Sequence, residues 1–236
     1  MYVPERLLKP ELMDDPSLDP AAHAKALRGL RRINWWSRTA SYLAGEISRV
    51  AAERGIDQVR VLDVACGGGE MARNLAAQLK QRGLNAEVDG CDISNQAVAY
   101  AEDSLRRAGR NGARYFQHDA LGTDLPTGYD FIVTTLFLHH LSRADAVNLL
   151  RRMAAAASEM VLVDDLIRSR LGYYLAWGAC RVLSRSPVVH HDGPVSVQAA
   201  FSMAEALRIA EEAGLANSRC RRHWPERYLL SWEAAR

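Results

Sequence analysis

At residues 61–69 the chain reads Val61-Leu-Asp-Val-Ala-Cys-Gly-Gly-Gly69, and this stretch decides the fold. An apolar run passes directly into three glycines, and apolar residues spaced three or four apart follow over 71–82. This order is typical of a buried strand, a tight turn and a helix in a parallel sheet. In such sheets, ligands bind beyond the carboxyl ends of the strands. Glycine lets the main chain approach a ligand closely, and the next helix offers free N–H groups to negative charge.

The same alternation continues along the chain. We expect strands at 59–64, 86–92, 113–118, 131–135 and 160–164, and helices between them at 71–82, 95–108 and 144–157. Residues 168–200 interrupt the pattern, and a helix at 203–213 and two strand-like runs around Trp224-Pro225 follow. The pattern predicts an α/β fold with a doubly wound, Rossmann-like, seven-stranded and mostly parallel sheet that carries helices on both faces.

The N-terminal part is predicted to be helical. Asp19-Pro20 is a typical helix start. Apolar residues follow at helical spacing, first Leu27, Leu30, Ile33 and Trp36, then Tyr42, Leu43, Ile47 and Val50. We therefore expect an N-terminal helical cap (1–55) and a ligand-binding domain (56–236) with a helical cap insertion at about 166–200.

Composition limits the class of protein. The 30 basic and 28 acidic residues nearly cancel, so the positive surface expected of a nucleic-acid-binding protein is missing. The cysteines, which include no Cys-x-x-Cys pair, favour a reducing cytoplasm over a zinc or disulfide framework; they are Cys66, Cys91, Cys180 and Cys220. No apolar stretch has the length of a signal peptide or membrane span. We expect a cytoplasmic protein with a small-molecule acceptor, no nucleic-acid partner and no membrane span.

The glycine turn alone admits two kinds of ligand. Gly67, Gly69 and Ala72 also satisfy the fingerprint of dinucleotide-binding proteins in its alanine variant. A pyrophosphate would then lie at the helix N-terminus, where the carboxylate of Glu70 repels it. Asp63 points the same way, since an acid at the end of the strand suits a cation or a bridging water. An amino-acid ligand with an ammonium group is favoured, and a dinucleotide-dependent oxidoreductase remains the alternative.

Residues 61–69 resemble the first motif of the class I S-adenosylmethionine-dependent methyltransferases. Asp92, in Gly90-Cys-Asp-Ile-Ser94, lies where such folds hold ribose hydroxyls, although it is also placed to cap the next helix. Two further runs resemble the third and fourth strand motifs of the family, His118-Asp119-Ala120 and Tyr129-Asp-Phe-Ile-Val-Thr-Thr-Leu-Phe-Leu-His-His-Leu141. Before the fifth strand the chain has Ala154-Ala-Ala-Ala-Ser-Glu159, where many relatives have a Lys/Arg-Pro-Gly-Gly turn.

The resemblance implies S-adenosylmethionine as cofactor and S-adenosylhomocysteine as product. It places Ile93 on the adenine face and Asp119 near the adenine amino group. The full set of expected cofactor residues is Asp63, Ala65, Gly67, Gly69, Asp92, Ile93, Asp119, Ala120 and Thr135.

Histidines are the candidate bases, because a phenol with a pKa of about 10 must lose its proton before or during methylation. His139 and His140 follow the fourth strand, and His190 and His191 precede Asp192 in the interrupting segment. His140 is the first choice and His191 the second. We expect no metal, since neighbouring side chains such as those of His190 and His191 diverge in an extended chain. The adjacent acids Asp164-Asp165 resemble the acid pair of metal-dependent catechol methyltransferases only superficially.

The acceptor is predicted to be a small hydrophobic molecule. After the fourth strand the chain has Thr134-Thr-Leu-Phe137 in place of the Asn/Asp-Pro-Pro-Tyr/Phe run of relatives that methylate nucleobases or glutamine. The basic residues near the end are interpreted as a solvated sheet edge, with RNA as the alternative partner; they are Arg219, Arg221, Arg222 and Arg227. Aromatic side chains are expected to form an apolar pocket; they are Trp35, Trp36, Phe137, Tyr173 and Trp177.

Further segments resemble methyltransferases of quinone biosynthesis and those that accompany type III polyketide synthases. These segments are Arg31-Arg-Ile-Asn-Trp-Trp36, Val163-Asp-Asp-Leu-Ile-Arg168, Gly172-Tyr173 and His191-Asp-Gly-Pro-Val-Ser196. This likeness implies O-methylation of a phenolic, quinol or polyketide-like acceptor. An RNA-directed methyltransferase and a binding module without catalysis remain alternatives, and the chain is expected to be a monomer or a homodimer.

Overall fold

A seven-stranded sheet forms the centre of the computed structural model, which describes residues 5–14, 18–19, 21–22, 25–26, 29, 37–108 and 113–235. The strand order is β3-β2-β1-β4-β5-β7-β6, and only the pairings of β7 with β5 and β6 are antiparallel. The strands are β1 (Gln58–Val64), β2 (Asn85–Asp92), β3 (Tyr115–Gln117), β4 (Tyr129–Thr135), β5 (Ala157–Leu166), β6 (Arg219–His223) and β7 (Arg227–Glu233). The order reverses between β1 and β4, where a doubly wound sheet opens its ligand crevice.

Helices cover both faces of this sheet. They are α1 (Thr39–Arg54), α2 (Glu70–Gln81), α3 (Asn95–Arg107), α4 (Arg143–Ala156), α5 (Arg170–Leu183), α6 (Pro187–Ala199) and α7 (Met203–Glu212). Short 3-10 turns lie at Leu12–Asp14 and Leu138–His140. The predicted Rossmann-like fold with helices on both faces and a helical insertion after the fifth strand is confirmed.

The core has two layers, because successive side chains of a strand point to opposite faces. In β1, Val61 is buried on the side of α1 and α2, whereas Leu62 is buried on the side of α4 and α7. Burial of each large apolar side chain contributes on the order of 1.5–3 kcal/mol. Packing on both faces holds the parallel strands side by side. The loops that follow their carboxyl ends therefore lie along one edge of the sheet.

Several predicted boundaries need correction. Strand β3 pairs with β2 through only three residues, Tyr115–Gln117, so it is shorter than 113–118. Strand β5 is longer than 160–164 because it also pairs with β7 along Met160 to Leu166. His190 and His191 lie in a helix and not in extended chain, since α6 begins at Pro187 with its ring at a favourable first helical position.

The N-terminal prediction is only partly covered by the structure. Residues 21, 22, 25, 26 and 29 are helical, whereas Pro20, Leu27, Leu30, Ile33 and Trp36 lie outside the described residues. The second expected helix is α1, which buries Leu43, Ile47 and Val50 and ends at Gly55 with φ +67°. Within the described residues, no helix has both the length and the apolar character that crossing a membrane requires.

Candidate active site

The glycine turn between β1 and α2 has a backbone conformation that few residue types adopt. Ala65, Gly67 and Gly69 have φ values of 57°, 50° and 68°, in the left-handed region that favours glycine. At Gly69 a side chain is also excluded by space, since a Cβ would lie 2.6 Å from the Tyr115 ring. Only glycine satisfies both conditions at this position.

Hydrogen bonds from neighbouring elements hold this turn. The Gly67 N–H donates to Oδ2 of Asp92 at 2.8 Å, which ties the turn to the end of β2. Arg73 donates to the Gly68 carbonyl at 2.9 Å, and the Tyr115 hydroxyl donates to the Gly69 carbonyl at 3.2 Å. Sequence reasoning missed Arg73 and Tyr115. Tyr115 could have been found from the sequence as a large aromatic residue on the strand that was expected to lie next to Gly90.

Asp63 is a buried acid at the end of β1. Its side chain is 1% exposed, and neither carboxylate oxygen has a hydrogen-bond partner among the described residues. Burial, and then the charge of Asp92, raise the pKa of Asp63 to about 8. A cation brought close to this carboxyl group would therefore favour its ionised form.

Asp92 and Ile93 lie at the end of β2. Asp92 accepts the Ser94 N–H at 2.9 Å through its second oxygen. The helix cap that was an alternative role for Asp92 belongs to Ser94, whose hydroxyl accepts the Ala97 N–H at 3.2 Å. Ile93 is 64% exposed, which leaves an apolar face open for a ring such as adenine.

The remaining expected cofactor residues lie on the next loops of the same edge. Asp119 is exposed and accepts the N–H groups of Leu121 and Gly122 at 3.0 and 2.9 Å, so it shapes the loop after β3. Ala120 is buried beneath this loop, and Thr135 ends β4 in register with Asp164.

These residues fit S-adenosylmethionine better than a dinucleotide. The unpartnered carboxylate of Asp63 and the nearby Asp92 make the turn a place for positive charge, and a diphosphate there would be repelled. The exposed Ile93 and the open space at Gly67, where a Cβ would meet nothing within 4 Å, leave room for a ligand. The individual contacts remain predictions.

A second cluster of charged side chains surrounds His139, on the 3-10 turn after β4. Its Nδ1 lies 2.7 Å from Oδ1 of Asp165, at the end of β5, and its main-chain N–H donates to the other oxygen of Asp165 at 3.0 Å. On the opposite side, Nε2 lies 3.7 Å from Oε1 of Glu11. His139 is thus held between two carboxylates from distant parts of the chain.

The two carboxylates set the charge of this ring. Burial disfavours a charged imidazole, but the charge of Asp165, its hydrogen bond and the contribution of Glu11 outweigh burial and raise the pKa of His139 to about 9. Burial acts in the opposite direction on Asp165 and raises its pKa, but the neighbouring His139 outweighs burial and holds the pKa below its usual value. In this arrangement His139 is protonated at neutral pH.

His140, the first-choice base, lies beside His139. The two ring centroids are 4.2 Å apart, and the Phe137 ring is 6.5 Å from that of His140. A cavity of about 330 Å³ opens next to the pair. It is lined by Leu8, Lys9, Pro10, Glu11, His139, His140 and Ala199.

His191, the second-choice base, does not line this cavity. Its Nδ1 lies 2.9 Å from Oδ1 of Asp192, and its side chain is 51% exposed. Asp192 in turn accepts the main-chain N–H groups of Leu12 and Met13. His191 thus contacts the carboxylate that holds the N-terminal 3-10 turn, and its role as the second-choice base remains a prediction.

The acid pair Asp164-Asp165 is divided between the two faces of β5. Asp165 binds His139, whereas Asp164 contacts His223 Nε2 and Arg227 Nε, each at 2.6 Å. The two carboxylates do not converge, because neighbouring residues of a strand point to opposite sides.

Glu11, His139 and His140 place oxygen and nitrogen atoms within 4.8 Å of one another, a spacing that a metal ion also uses. The basic side chain of Lys9 lines the same cavity, and the carboxylates around His139 favour a proton on its ring. The expectation of no metal at this cluster remains a prediction.

The predicted aromatic pocket is only partly supported. Phe137 packs against the core, and Tyr173 is half-buried. Trp177 is 48% exposed, with the Arg181 guanidinium 4.1 Å from its ring centroid, so it lies at the outer surface of α5. Trp35 and Trp36 lie outside the described residues.

The basic residues near the end of the chain fall into two groups. Arg219, Arg221 and Arg222 are exposed on the edge strand β6, as predicted. The prediction was wrong for Arg227, which is 2% exposed because it pairs with buried Asp164.

Comparison with known proteins agrees with this geometry. A family described as methyltransferase domain matches residues 61–159. The chain is 26% identical over 213 residues to the ubiquinone biosynthesis O-methyltransferase of Paraburkholderia phytofirmans, covering 87% of this chain and 84% of the relative. It is 29% identical over 194 residues to the protein of the same name from Nitrosospira multiformis, covering 77% and 75%.

A solved structure shares the fold. The plantazolicin methyltransferase, in complex with a triazolic desmethylPZN analogue and SAH, is similar with a TM-score of 0.71 and 16% identity over 92% of both chains. The domain match, the two relatives and the acids around the glycine turn together support a class I S-adenosylmethionine-dependent methyltransferase.

Proposed function

We propose that this enzyme methylates a hydroxyl group of a hydrophobic phenolic or quinol-like acceptor. The observation that carries the proposal is the His139–Asp165 pair beside a cavity, because a histidine oriented by a carboxylate is suited to remove a hydroxyl proton. The names of the ubiquinone biosynthesis O-methyltransferases support a quinol-like acceptor.

Cofactor binding and removal of the hydroxyl proton are assigned to two regions of one sheet edge. S-adenosylmethionine, when bound, supplies an electrophilic methyl group, and Asp63, Asp92 and Ile93 are proposed to hold it at the ends of β1 and β2. Orientation of the acceptor oxygen contributes most of the rate, on the order of 7–11 kcal/mol by the effective-molarity argument.

Removal of the hydroxyl proton is assigned to the histidine pair. Asp165 fixes the Nδ1 side of His139, so Nε2, which lies 3.7 Å from Glu11, is the atom proposed to take the proton from an acceptor bound beside Glu11. His139 must first lose the proton that it carries at neutral pH. His140 lines the same cavity and remains the alternative base. A base with a pKa of about 9 is close in proton affinity to a phenol with a pKa of about 10, so methylation should become faster as pH rises towards 9.

The surrounding segments are proposed to enclose the acceptor. The N-terminal cap (1–55) and the insertion (about 166–200) within the methyltransferase domain (56–236) would cover the acceptor, and the half-buried Phe137 and Tyr173 are the aromatic residues proposed to contact it. Cytoplasmic localisation is supported by four free cysteines, of which three are buried.

The acceptor class is tested with purified enzyme, S-adenosylmethionine and a panel of long-chain quinols, alkylresorcinols and pyrones, with product analysis by mass spectrometry. We expect at least one phenolic acceptor to be converted to a methyl ether. Its fully O-methylated analogue has no free hydroxyl group and should not be methylated. Methylation at carbon or nitrogen, or cofactor binding without any methylated product, would contradict the proposal.

A further inference from the structure

The N-terminal segment, residues 5–14, is anchored to the active-site turn. Arg6 donates through Nη2 to the carbonyls of His139 and Leu141 at 2.8 and 2.7 Å. Its guanidinium also stacks 3.8 Å from the Phe201 ring centroid, and the Leu7 N–H donates to the Gln198 carbonyl at 3.1 Å. The start of the segment is thereby joined to the turn that carries both histidines.

The end of the segment is anchored to helix α6. The N–H groups of Leu12 and Met13 donate to the two oxygens of Asp192 at 2.9 and 3.0 Å. Asp192 is 4% exposed, so this attachment is shielded from water. Anchors on both sides leave Glu11 little freedom of position.

Glu11 lies between these anchors with its carboxylate turned inward. Its side chain is 12% exposed, it accepts a hydrogen bond from the Ser196 hydroxyl, and it faces Nε2 of His139. Burying a carboxylate is costly unless it is paired, and the protonated His139 provides the opposite charge. Burial raises the pKa of Glu11, but the contacts with His139 outweigh it and hold the pKa below the usual value.

We propose, resting on the function proposed above, that Glu11 is a positioning residue of the acceptor site, which the N-terminal segment carries to the Nε2 side of His139, opposite Asp165. Glu11 fixes the ring from its second side and increases its affinity for the acceptor proton. The charged or titratable groups around His139 are Asp165 from β5, Glu11, Arg6 and Lys9 from the N-terminal segment, and His140 from the same turn.

The proposal predicts how His139 titrates when Glu11 loses its charge. Glu11→Gln keeps the size of the side chain and removes one of the two carboxylates, so the proton on His139 should leave at lower pH. NMR of imidazole-labelled protein measures this directly, without acceptor or cofactor. We expect the midpoint of His139 to fall by at least about one unit, a tenfold change in proton affinity.

Controls separate this role from a structural one. Glu5→Gln changes an exposed acid of the same segment and should leave the His139 midpoint unchanged. Ser196→Ala, which removes the hydroxyl that holds Glu11, should give a smaller shift in the same direction and serves as a second variant if Glu11→Gln unfolds. Equal midpoints in wild type, Glu11→Gln and Ser196→Ala would overturn the proposal.

Kinetics distinguish this proposal from the proposed function. With an active acceptor, the rising limb of the kcat profile should move to lower pH in Glu11→Gln, while S-adenosylhomocysteine affinity stays within about twofold of wild type. An unmoved limb would overturn the proposal. If the His139 midpoint moves but no phenolic acceptor is methylated, the result supports the positioning role of Glu11 and contradicts the proposed acceptor class.

Discussion

At the scale of single residues, two buried acids on neighbouring parts of the sheet edge have opposite properties. Asp63 has no hydrogen-bond partner among the described residues, and its pKa is raised to about 8. Asp165 is paired with His139, and its pKa lies below the usual value. Burial acts on both in the same direction, so the presence of an opposite charge decides the difference.

Asp63 should make cofactor binding depend on pH. S-adenosylmethionine carries a sulfonium and an ammonium group, and both favour the ionised form of the acid. Its affinity should therefore rise as pH increases from 7 to 9, with release of a proton on binding. Calorimetry in buffers of different ionisation enthalpy measures this release. Asp63→Asn should abolish the pH dependence, and an unchanged profile in this variant would contradict the assignment.

His139 should make stability depend on pH. Its folded-state pKa of about 9 lies above the unfolded value of about 6.5, so its contribution is complete below pH 6.5 and is lost as pH rises through 9. Asp63 acts in the same direction, because an acid with a raised pKa destabilises the fold as pH rises from about 4 through 8. Tm should fall between pH 7 and 9.5. Denaturation of His139→Gln should show a flatter profile, and a profile as steep as wild type would argue against a charged His139.

The two histidines should differ in their effect on catalysis. His139→Gln should lower kcat by about 10²–10⁴-fold, the usual range for loss of a general base, with little change in S-adenosylhomocysteine affinity. His140→Gln, the matched control on the same turn, should have a smaller effect because the proposal assigns proton removal to His139, whose ring Asp165 orients. Steady-state kinetics with one acceptor compares them. A larger loss of kcat in His140→Gln than in His139→Gln would indicate that His140 is the base.

At the scale of elements, the glycine turn shows what sequence can predict. The apolar run, the glycines and the helical periodicity after them are local signals, and they located β1 and α2 correctly. The residues that hold the turn were missed, because Tyr115 reaches Gly69 only after β3 has paired with β2. The segment 5–14 was missed for a similar reason, since its charged and apolar residues have no helical or strand period.

Two glycine variants test the turn. Gly69→Ala should weaken S-adenosylhomocysteine binding at least tenfold and lower Tm, because φ is +68° and the new Cβ would meet the Tyr115 ring. Gly45→Ala, within α1, is the control, since a Cβ there meets nothing within 4 Å. It should stabilise the protein by up to about 1 kcal/mol through helix propensity. Calorimetry and thermal denaturation measure both effects, and normal binding by Gly69→Ala would refute the steric argument.

At the scale of the whole molecule, the site joins segments that are far apart in sequence. The proposed cofactor edge is built from the ends of β1, β2, β3 and β4, and these four strands were predictable from the alternating pattern. The proposed acceptor site instead combines the N-terminal segment, the turn after β4, the end of β5 and helix α6. Its partners meet only through tertiary packing, which explains why Asp165 and Glu11 were not predicted to flank His139.

Because the proposed cofactor and acceptor regions are separate, a substitution in the acceptor region should impair acceptor turnover and leave cofactor affinity unchanged. Arg6→Ala removes the hydrogen bonds that hold the segment 5–14 to the histidine turn. Acceptor KM should rise and kcat should fall, together by about tenfold in kcat/KM, while S-adenosylhomocysteine affinity stays close to wild type. Glu5→Gln again serves as control. Equal losses of cofactor and acceptor binding would show that the two regions are not independent.

The most direct test of the central claim, that a glycine turn surrounded by acids binds a sulfonium cofactor and rejects a diphosphate, is calorimetric titration of the purified protein. S-adenosylhomocysteine should bind at one site per chain, and NADH should give no saturable heat under the same conditions. Saturable binding of NADH without binding of S-adenosylhomocysteine would contradict the account.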